Sequence, residues 1–479
     1  MKEEAVKAAK DLNTMLARKG VSVDVRGYLL GACLCYCDEL RDRYALNFDV
    51  NKLPDVWKDM QLGMIQSDIV RALRNRLVMG WDLEGVERNI RERLFGDTTI
   101  KKLDAKDWQD ILSYVWKEIY PYKSSGYDFL SLFYGVLNDC KESKNQVFTP
   151  AHIAEFICEV CGVNAVTKVL DPCCGSGSFL MSAISRMRES VTHFARGVLA
   201  HRIYGIESER TAFDLAALNM MWTCEGAMNI RHGSCFDYED WIGEVDPDVI
   251  LMNPPYNARV QDIPEEYRKG WPKGGKEEPT KGLVFVKWIS DVIDRINTKK
   301  KNEGSSPKKV TLGVILPTSV AIGRGKVFWD MKQHLMDKNQ LKAVFSLPDN
   351  LFYPSAGVNV CCMIWELGEP HYNEEHEGKE DTFFGYFKED GYKVKKGLGR
   401  VYAETAFHKA GWGDYRATWN DLWLGSIAKP GLSALKRVNE FMEWLCEAYM
   451  QTDYSKLTAK DFEKTVRNYV AYKIKEGLI

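Results

Sequence analysis

Apolar positions recur every three to four residues through roughly the first 145 positions of the chain. In DAKDWQDILSYVWKEIY, Trp108, Ile111, Leu112, Val115, Trp116 and Ile119 fall on one face of a helix. EAVKAAKDLNTML and VRGYLLGACLCYCDEL show the same period. No strand alternation of any length interrupts them, so residues 1–145 are expected to form a helical bundle.

The period changes near Gln146. Thr149 and Pro150 read as the N-cap and first residue of a helix through HIAEFICEVC. Short apolar runs then alternate with helical segments: TKVLD, IYGIE, DVILM, TLGVILP, KAVFSLP and NVCCMIWEL. Such alternation predicts a parallel α/β sheet over residues 146–370. Two polar loops break it, one after residue 256 and one at 297–309. Residues 371–479 are mixed and aromatic, and end in two stretches that read as helices, GLSALKRVNEFMEWLCEAYM and TAKDFEKTVRNYVAYKIKEG.

Composition narrows the class. A chain of 479 residues, 45% hydrophobic and 28% charged, is expected to hold two or three globular domains. No apolar run is long enough to span a membrane, and MKEEAVKAAKDLN lacks the apolar core of a signal peptide, so a cytoplasmic location is expected. The 13 cysteines lie mostly in apolar stretches, as small buried side chains do. Cys158 and Cys161 form one CxxC without a second pair at zinc-ribbon spacing, and HYNEEHE reads as an acidic surface loop, so no metal site is expected. With a net charge of −2, any nucleic-acid surface must be local, or supplied in part by a partner.

Candidate chemistry begins at VLDPCCGSGSFL, residues 169–180, which reads as a strand, a glycine turn and a helix start. Gly177 is followed by Ser-Phe-Leu, not Lys-Ser/Thr, which excludes a P-loop; Leu180 stands where a dinucleotide fingerprint has its third glycine. Asp171 would repel a pyrophosphate but suits a cationic ammonium. An acid ahead of Gly175 and Gly177 therefore fits S-adenosylmethionine best. Glu207 closes the next strand, IYGIE, where it can accept from both ribose hydroxyls.

DVILMNPPY, residues 248–256, carries the reaction chemistry. Two prolines remove backbone donors and fix the chain, leaving the Asn253 side-chain oxygen and the Pro254 carbonyl as acceptors at a strand end. Together they suit the two N–H groups of a planar exocyclic amine. Accepting both favours a more tetrahedral nitrogen, whose lone pair can attack a sulfonium methyl in line. Tyr256 can stack on the ring that bears the amine, and a base in a duplex must first be flipped out to reach it. A cysteine nucleophile at Cys173 is the competing chemistry, disfavoured because Cys173 sits inside the cofactor loop.

These motifs resemble those of the modification (M) subunits of type I restriction–modification systems, which are N6-adenine DNA methyltransferases. VFTP at 147–150, DPCCGSGSFL, LAALNMMW at 215–222, NPPY, and FSLPDNLFYPSAGVNVCCMIW at 345–365 are all similar to family segments. The resemblance implies a Rossmann-like, seven-stranded methyltransferase sheet between helical layers, with an N-terminal helical bundle and a C-terminal helical tail. It puts Phe148 and Thr149 near the methionine end of the cofactor, Asp171, Gly175 and Gly177 around its backbone, and Glu207 on its ribose. Asn253, Pro254, Pro255 and Tyr256 form the catalytic tetrapeptide that receives a flipped adenine. Ser234, in NIRHGSCFD, departs from the family, which usually has an acid there.

The resemblance also implies partners. Only about 110 residues follow the catalytic region, little room for a target-recognition domain. The helices at 431–479 are then expected to dock on a specificity (S) subunit, with two M subunits per S, double-stranded DNA as substrate and, in some assemblies, an endonuclease (R) subunit. The tetrapeptide itself leaves other amines open: N4 of cytosine in DNA, a protein glutamine amide, or a scaffold subunit that has lost catalysis.

Overall fold

In the computed structural model, the described residues are 2–43, 60–77, 84–123, 129–138, 149–189, 199–224, 229–353, 356–395, 399–402, 411–456 and 458–478. Six helices come first: α1 (Lys2–Arg18), α2 (Val23–Arg43), α3 (Leu62–Leu77), α4 (Glu84–Gly96), α5 (Ala105–Tyr114) and α6 (Phe129–Asn138). Asp104 opens α5 with a reciprocal capping box to Asp107. The six apolar residues expected on one face of that segment are all buried, and the helix continues through a π turn over Val115–Ile119.

Helix α7 (Ala151–Val160) then leads to β1 (Val169–Asp171), α8 (Ser178–Glu189), β2 (Ile203–Glu207), α9 (Arg210–Cys224), β3 (Asn229–His232), α10 (Glu239–Val245) and β4 (Val249–Met252). After a long loop come α11 (Leu283–Asn302), β5 (Val310–Pro317), α12 (Thr318–Ala321), α13 (Lys326–Lys338), β6 (Asn339–Ser346) and β7 (Val360–Leu367). The remainder supplies β8 (Thr382–Tyr386), β9 (Tyr392–Lys395), β10 (Gly399–Tyr402), α14 (Trp412–Leu424), β11 (Ser433–Lys436) and α15 (Ala459–Lys475).

The main sheet has nine strands, in the order β3-β2-β1-β4-β5-β7-β6-β8-β11. This corrects the expected count of seven: strands β8 and β11, from beyond residue 370, extend the sheet past β6. It also corrects the expected parallel pairing. The pairs β1–β2, β2–β3, β1–β4, β4–β5 and β6–β8 are parallel, but β7 runs antiparallel between β5 and β6, and β11 runs antiparallel to β8. The connection from β6 to β7 contains no crossover helix among the described residues, so the chain turns back beside its own strand.

Continuous apolar strands follow from burial on both faces. Val169 and Leu251 join the core on one side with α7, α8, α9 and the N-terminal helices; Leu170, Ile250 and Met252 join the other with α11 and α13. The N-terminal helices therefore share a core with the sheet. At the joint, α2 approaches α9 closely: a Cβ on Gly31 would lie 2.7 Å from Leu218 Cδ1. Tyr28 and Asn89 both donate to the buried Asp214 on α9.

GLSALKRVNEFMEWLCEAYM, expected as helix, instead forms β11, turns and one 3-10 turn at Cys446–Ala448. Pairing Ala434 with Phe384 on β8 outweighs the helical spacing of its apolar residues. The final stretch is helix α15 as expected, and among the described residues no helix is long and apolar enough to cross a membrane.

Candidate active site

Because β1, β4 and β5 run parallel, the loops leaving their C-terminal ends share one edge of the sheet. Asp171 ends β1, Glu207 ends β2 and Asn253 follows β4 directly, which places three expected site residues on neighbouring strands, β2-β1-β4.

The glycine turn is built around the two acids. Gly175 (φ +55°) and Gly177 (φ +92°) take left-handed conformations that a side chain would strain. Asp171 Oδ1 accepts from the Cys173 amide at 3.0 Å, and Glu207 Oε2 accepts from the Gly175 amide at 2.8 Å. The other Glu207 oxygen accepts from the Glu209 amide at 2.7 Å. From α9, Asn219 Nδ2 donates to the Ser176 carbonyl at 2.8 Å, which clamps the turn from behind.

Burial pushes the Asp171 carboxyl well above the carboxylate range; the Cys173 amide opposes this and Glu207 adds to it. Burial also raises Glu207, against the Glu209 and Gly175 amides. Two acids held against their ionisation, with no basic side chain among the groups that shift them, make a natural seat for a cationic ligand. The open space beside Gly175, where a Cβ would meet nothing within 4 Å, gives that ligand room. The ammonium and ribose hydroxyls of S-adenosylmethionine, all donors, fit this pair of acceptors: Asp171 would hold the first and Glu207 the second.

Cys173 is half-buried, and its thiol is hydrogen-bonded with Cys235; that bond and desolvation both push it well up. A thiol held protonated is a poor nucleophile, which counts against the cysteine-nucleophile alternative.

At the catalytic edge, Tyr256 OH donates to Asn253 Oδ1 at 2.6 Å, and Asn253 Nδ2 donates to Thr149 Oγ1 at 3.3 Å. Pro254 is buried, Pro255 exposed, and Asn253 and Tyr256 half-buried. Burial holds the Tyr256 hydroxyl protonated, and it also points to the Ile315 carbonyl at 3.4 Å. Thr149 is not the N-cap: Pro150 caps α7 through its carbonyl, to the Ile153 and Ala154 amides, which leaves the Thr149 hydroxyl for Asn253. Phe148 lies outside the described residues. Ser234, in place of the family acid, precedes a 3-10 turn that its side chain does not cap, and Asp237 nearby is exposed.

Two supports were not foreseen from the sequence. Glu278, fully buried, accepts from the Thr280 amide and hydroxyl at 2.7 and 2.6 Å and from the Gly282 amide. It folds the end of the loop so that Gly282 sits against the tetrapeptide: a Cβ there would lie 3.2 Å from Pro254 Cγ and 3.5 Å from Tyr256 Cδ1. The second is a buried set, His152, Asp390 and Arg400, one helical turn beyond Thr149. EPTKG carries a recognisable local acid–threonine signal for the first; nothing local signals the second.

The family model for N-6 DNA methylases matches residues 128–407, more than half of the chain. The chain belongs to the N-6 DNA methylase family. Among curated relatives, this N-6 DNA methylase is 27% identical over 362 residues to the type II restriction enzyme and methyltransferase RM.BcgI of Heyndrickxia coagulans, covering 73% of this chain and 50% of that one. It is 25% identical over 272 residues to the type I restriction enzyme EcoEI methylase subunit of Escherichia coli, covering 55% and 50%. The chain thus spans about half the length of these relatives. The fold matches the type I restriction–modification methyltransferase subunit of Streptococcus thermophilus with a TM-score of 0.61 at 16% identity, over 94% of this chain and 99% of that one.

Proposed function

We propose that this chain transfers a methyl group from S-adenosylmethionine to N6 of adenine in a specific DNA sequence, as the modification subunit of a type I-like restriction–modification system. The observation that carries this reading is the placement of Asn253 beside Thr149 and Tyr256, one strand from the acid-flanked glycine turn.

S-adenosylmethionine, when bound, supplies an electrophilic methyl on a sulfonium. Asp171 and Glu207 anchor its cationic and ribose ends, and Phe148 and Thr149 flank the methionine part. Asn253 Oδ1 and the Pro254 carbonyl accept the two amine protons of the flipped base, which orients the nitrogen lone pair. Pro255 stiffens the turn, and Tyr256 stacks on the base. After transfer the methylated amine is cationic and loses one proton to solvent, while Asn253 Oδ1 and the Pro254 carbonyl hold it by hydrogen bonds without taking the proton.

The reading divides the chain into a helical domain at 1–145, a catalytic domain at 146–370 and a docking region at 371–479. Helix α15 supports docking. Phe462, Val466, Tyr469 and Val470 form an exposed apolar stripe at helical spacing, and no residue of α15 is buried. We assign this stripe to a specificity subunit, two M subunits per S, in the cytoplasm, with an endonuclease subunit as a further partner.

The test is methyl transfer to unmodified plasmid DNA with and without the partner, followed by separation of the nucleosides. The expected product is N6-methyl-2′-deoxyadenosine, formed only with the partner present. Label on cytosine N4 would replace adenine as the substrate, and no cofactor binding at all would make the chain a scaffold.

A further inference from the structure

Among the described residues, strands β9 and β10 pair only with each other and stand apart from the main sheet. A two-stranded ribbon is marginal alone, so something must hold it. The anchor is Asp390, 1% exposed, at the base of the ribbon. Its carboxylate accepts from Arg400 on β10 through two nitrogens, at 3.0 and 2.8 Å, and from the Tyr392 amide at 3.0 Å. Its remaining contact is His152 Nε2 at 2.8 Å, and the Tyr392 ring stacks on the His152 ring with centroids 4.4 Å apart.

His152 belongs to the first turn of α7, and the residue just before that helix's cap is Thr149, the partner of Asn253. The ribbon also leaves the same edge of the sheet as the tetrapeptide, because β8 is parallel to β6 and ends in register with it. A buried, multiply bonded ion set is costly to assemble and fixes geometry more than it adds stability. Here it fixes a ribbon beside the catalytic edge.

The outer side of that ribbon is basic. Lys393, Val394 and Lys395 are all exposed, and among the described residues neither lysine has an ion-pair partner. Their side chains share one face, about 6.8 Å apart along the strand. Phosphates of one DNA strand advance about 3.4 Å each along the helix axis, so two ammonium groups side by side on one face can reach separate phosphates of the same strand. In a chain of net charge −2, unpaired cations beside the site are where a polyanion would be steered.

We propose that the β9–β10 ribbon is a DNA-backbone contact, with Lys393 and Lys395 holding phosphates of the duplex that flanks the target base. The inference rests on the DNA methyltransferase reading above. It assigns the ribbon a sequence-independent role, positioning the duplex without reading it.

The experiment is a titration of the full-length chain into a fluorescently labelled DNA duplex over a series of KCl concentrations, with S-adenosylmethionine affinity measured in parallel. Three proteins are compared: wild type, Lys393→Ala/Lys395→Ala, and Lys299→Ala/Lys301→Ala, the last being exposed on the far end of α11. The ribbon variant is expected to bind DNA about ten-fold more weakly at low salt, with a log–log salt slope shallower by about 1.8, and to keep its cofactor affinity. The α11 variant is expected to match wild type. If wild type binds DNA and the ribbon variant keeps its full slope, the ribbon assignment is overturned and the methyltransferase reading stands. Equal losses in both variants also overturn it, since any surface charge would then do. A wild-type chain that binds cofactor but no duplex overturns the ribbon assignment alone, because duplex binding then comes from the specificity partner and the methyltransferase reading stands.

Discussion

Tyr256 donates its hydroxyl hydrogen to Asn253 Oδ1 at 2.6 Å, the same oxygen that the proposed mechanism assigns to the target amine. In that mechanism the bond is exchanged when the flipped base enters. Removing the hydroxyl alone should cost little, because one neutral hydrogen bond is worth about 1 kcal/mol and is exchanged on base entry. Tyr256→Phe should therefore keep kcat/KM within about ten-fold of wild type. Tyr256→Ala should lose about ten- to hundred-fold through lost stacking. Steady-state methyl transfer on both variants checks the split; equal losses would place the hydroxyl, not the ring, in the mechanism.

Glu207 accepts the Gly175 amide at 2.8 Å, and the proposed function gives the same carboxylate the ribose of the cofactor. Glu207→Ala should weaken S-adenosylmethionine binding by about ten- to hundred-fold, the cost of charged hydrogen bonds. Isothermal titration gives the answer directly, and unchanged affinity would remove Glu207 from the cofactor site.

Gly282 has φ +92°, and a Cβ there would press on Pro254 Cγ and Leu316 Cδ2, each at 3.2 Å. Gly282→Ala should strain the backbone and press on the tetrapeptide, lowering stability by about 1–3 kcal/mol and kcat by more than the cofactor affinity. Denaturant unfolding and transfer assays on the same preparation separate the two effects. A variant of wild-type stability and rate would show that the loop end does not bear on Asn253.

Asp214 joins the helical layer to α9, and burial raises its carboxyl from 3.8 to about 6, against the pull of Arg210, Arg93, Asn89 and Tyr28. A raised folded pKa means that the folded state holds the proton more tightly than the unfolded chain. The resulting stability is full below 3.8 and is lost as pH rises through about 6. The shift corresponds to about 3 kcal/mol. Asp214→Asn mimics the protonated acid, so its stability relative to wild type should grow as pH rises across that window and level off above it. Chemical denaturation of both proteins over that range tests the slope, and a constant difference would contradict it.

Much of the site was legible because its chemistry is local. Asp171 precedes two glycines, Glu207 closes the next apolar run, and Asn253 stands before two prolines that no ordinary strand would tolerate. Each signal lies within a few residues, and the sheet then brings the three ends together. What escaped was long-range. His152 and Asp390 are 238 residues apart, and neither has a neighbour that announces the pair. Antiparallel β7 carries the same apolar run a parallel strand would, because both its faces are buried. Ser433–Lys436 has helical spacing around it, yet the open edge of β8 pairs with it as a strand. The exposed stripe of α15 was readable as amphipathic, but only the fold shows that nothing within the described chain covers it.

The central claim is that Asn253 acts on the amine and not on the cofactor. The measurement is methyl transfer by Asn253→Ala to adenine N6 in partner-restored complexes, with S-adenosylmethionine affinity measured on the same protein. The account predicts transfer reduced at least a thousand-fold, the loss of an oriented nucleophile, with cofactor affinity within about two-fold of wild type. Full transfer by the variant would contradict the mechanism.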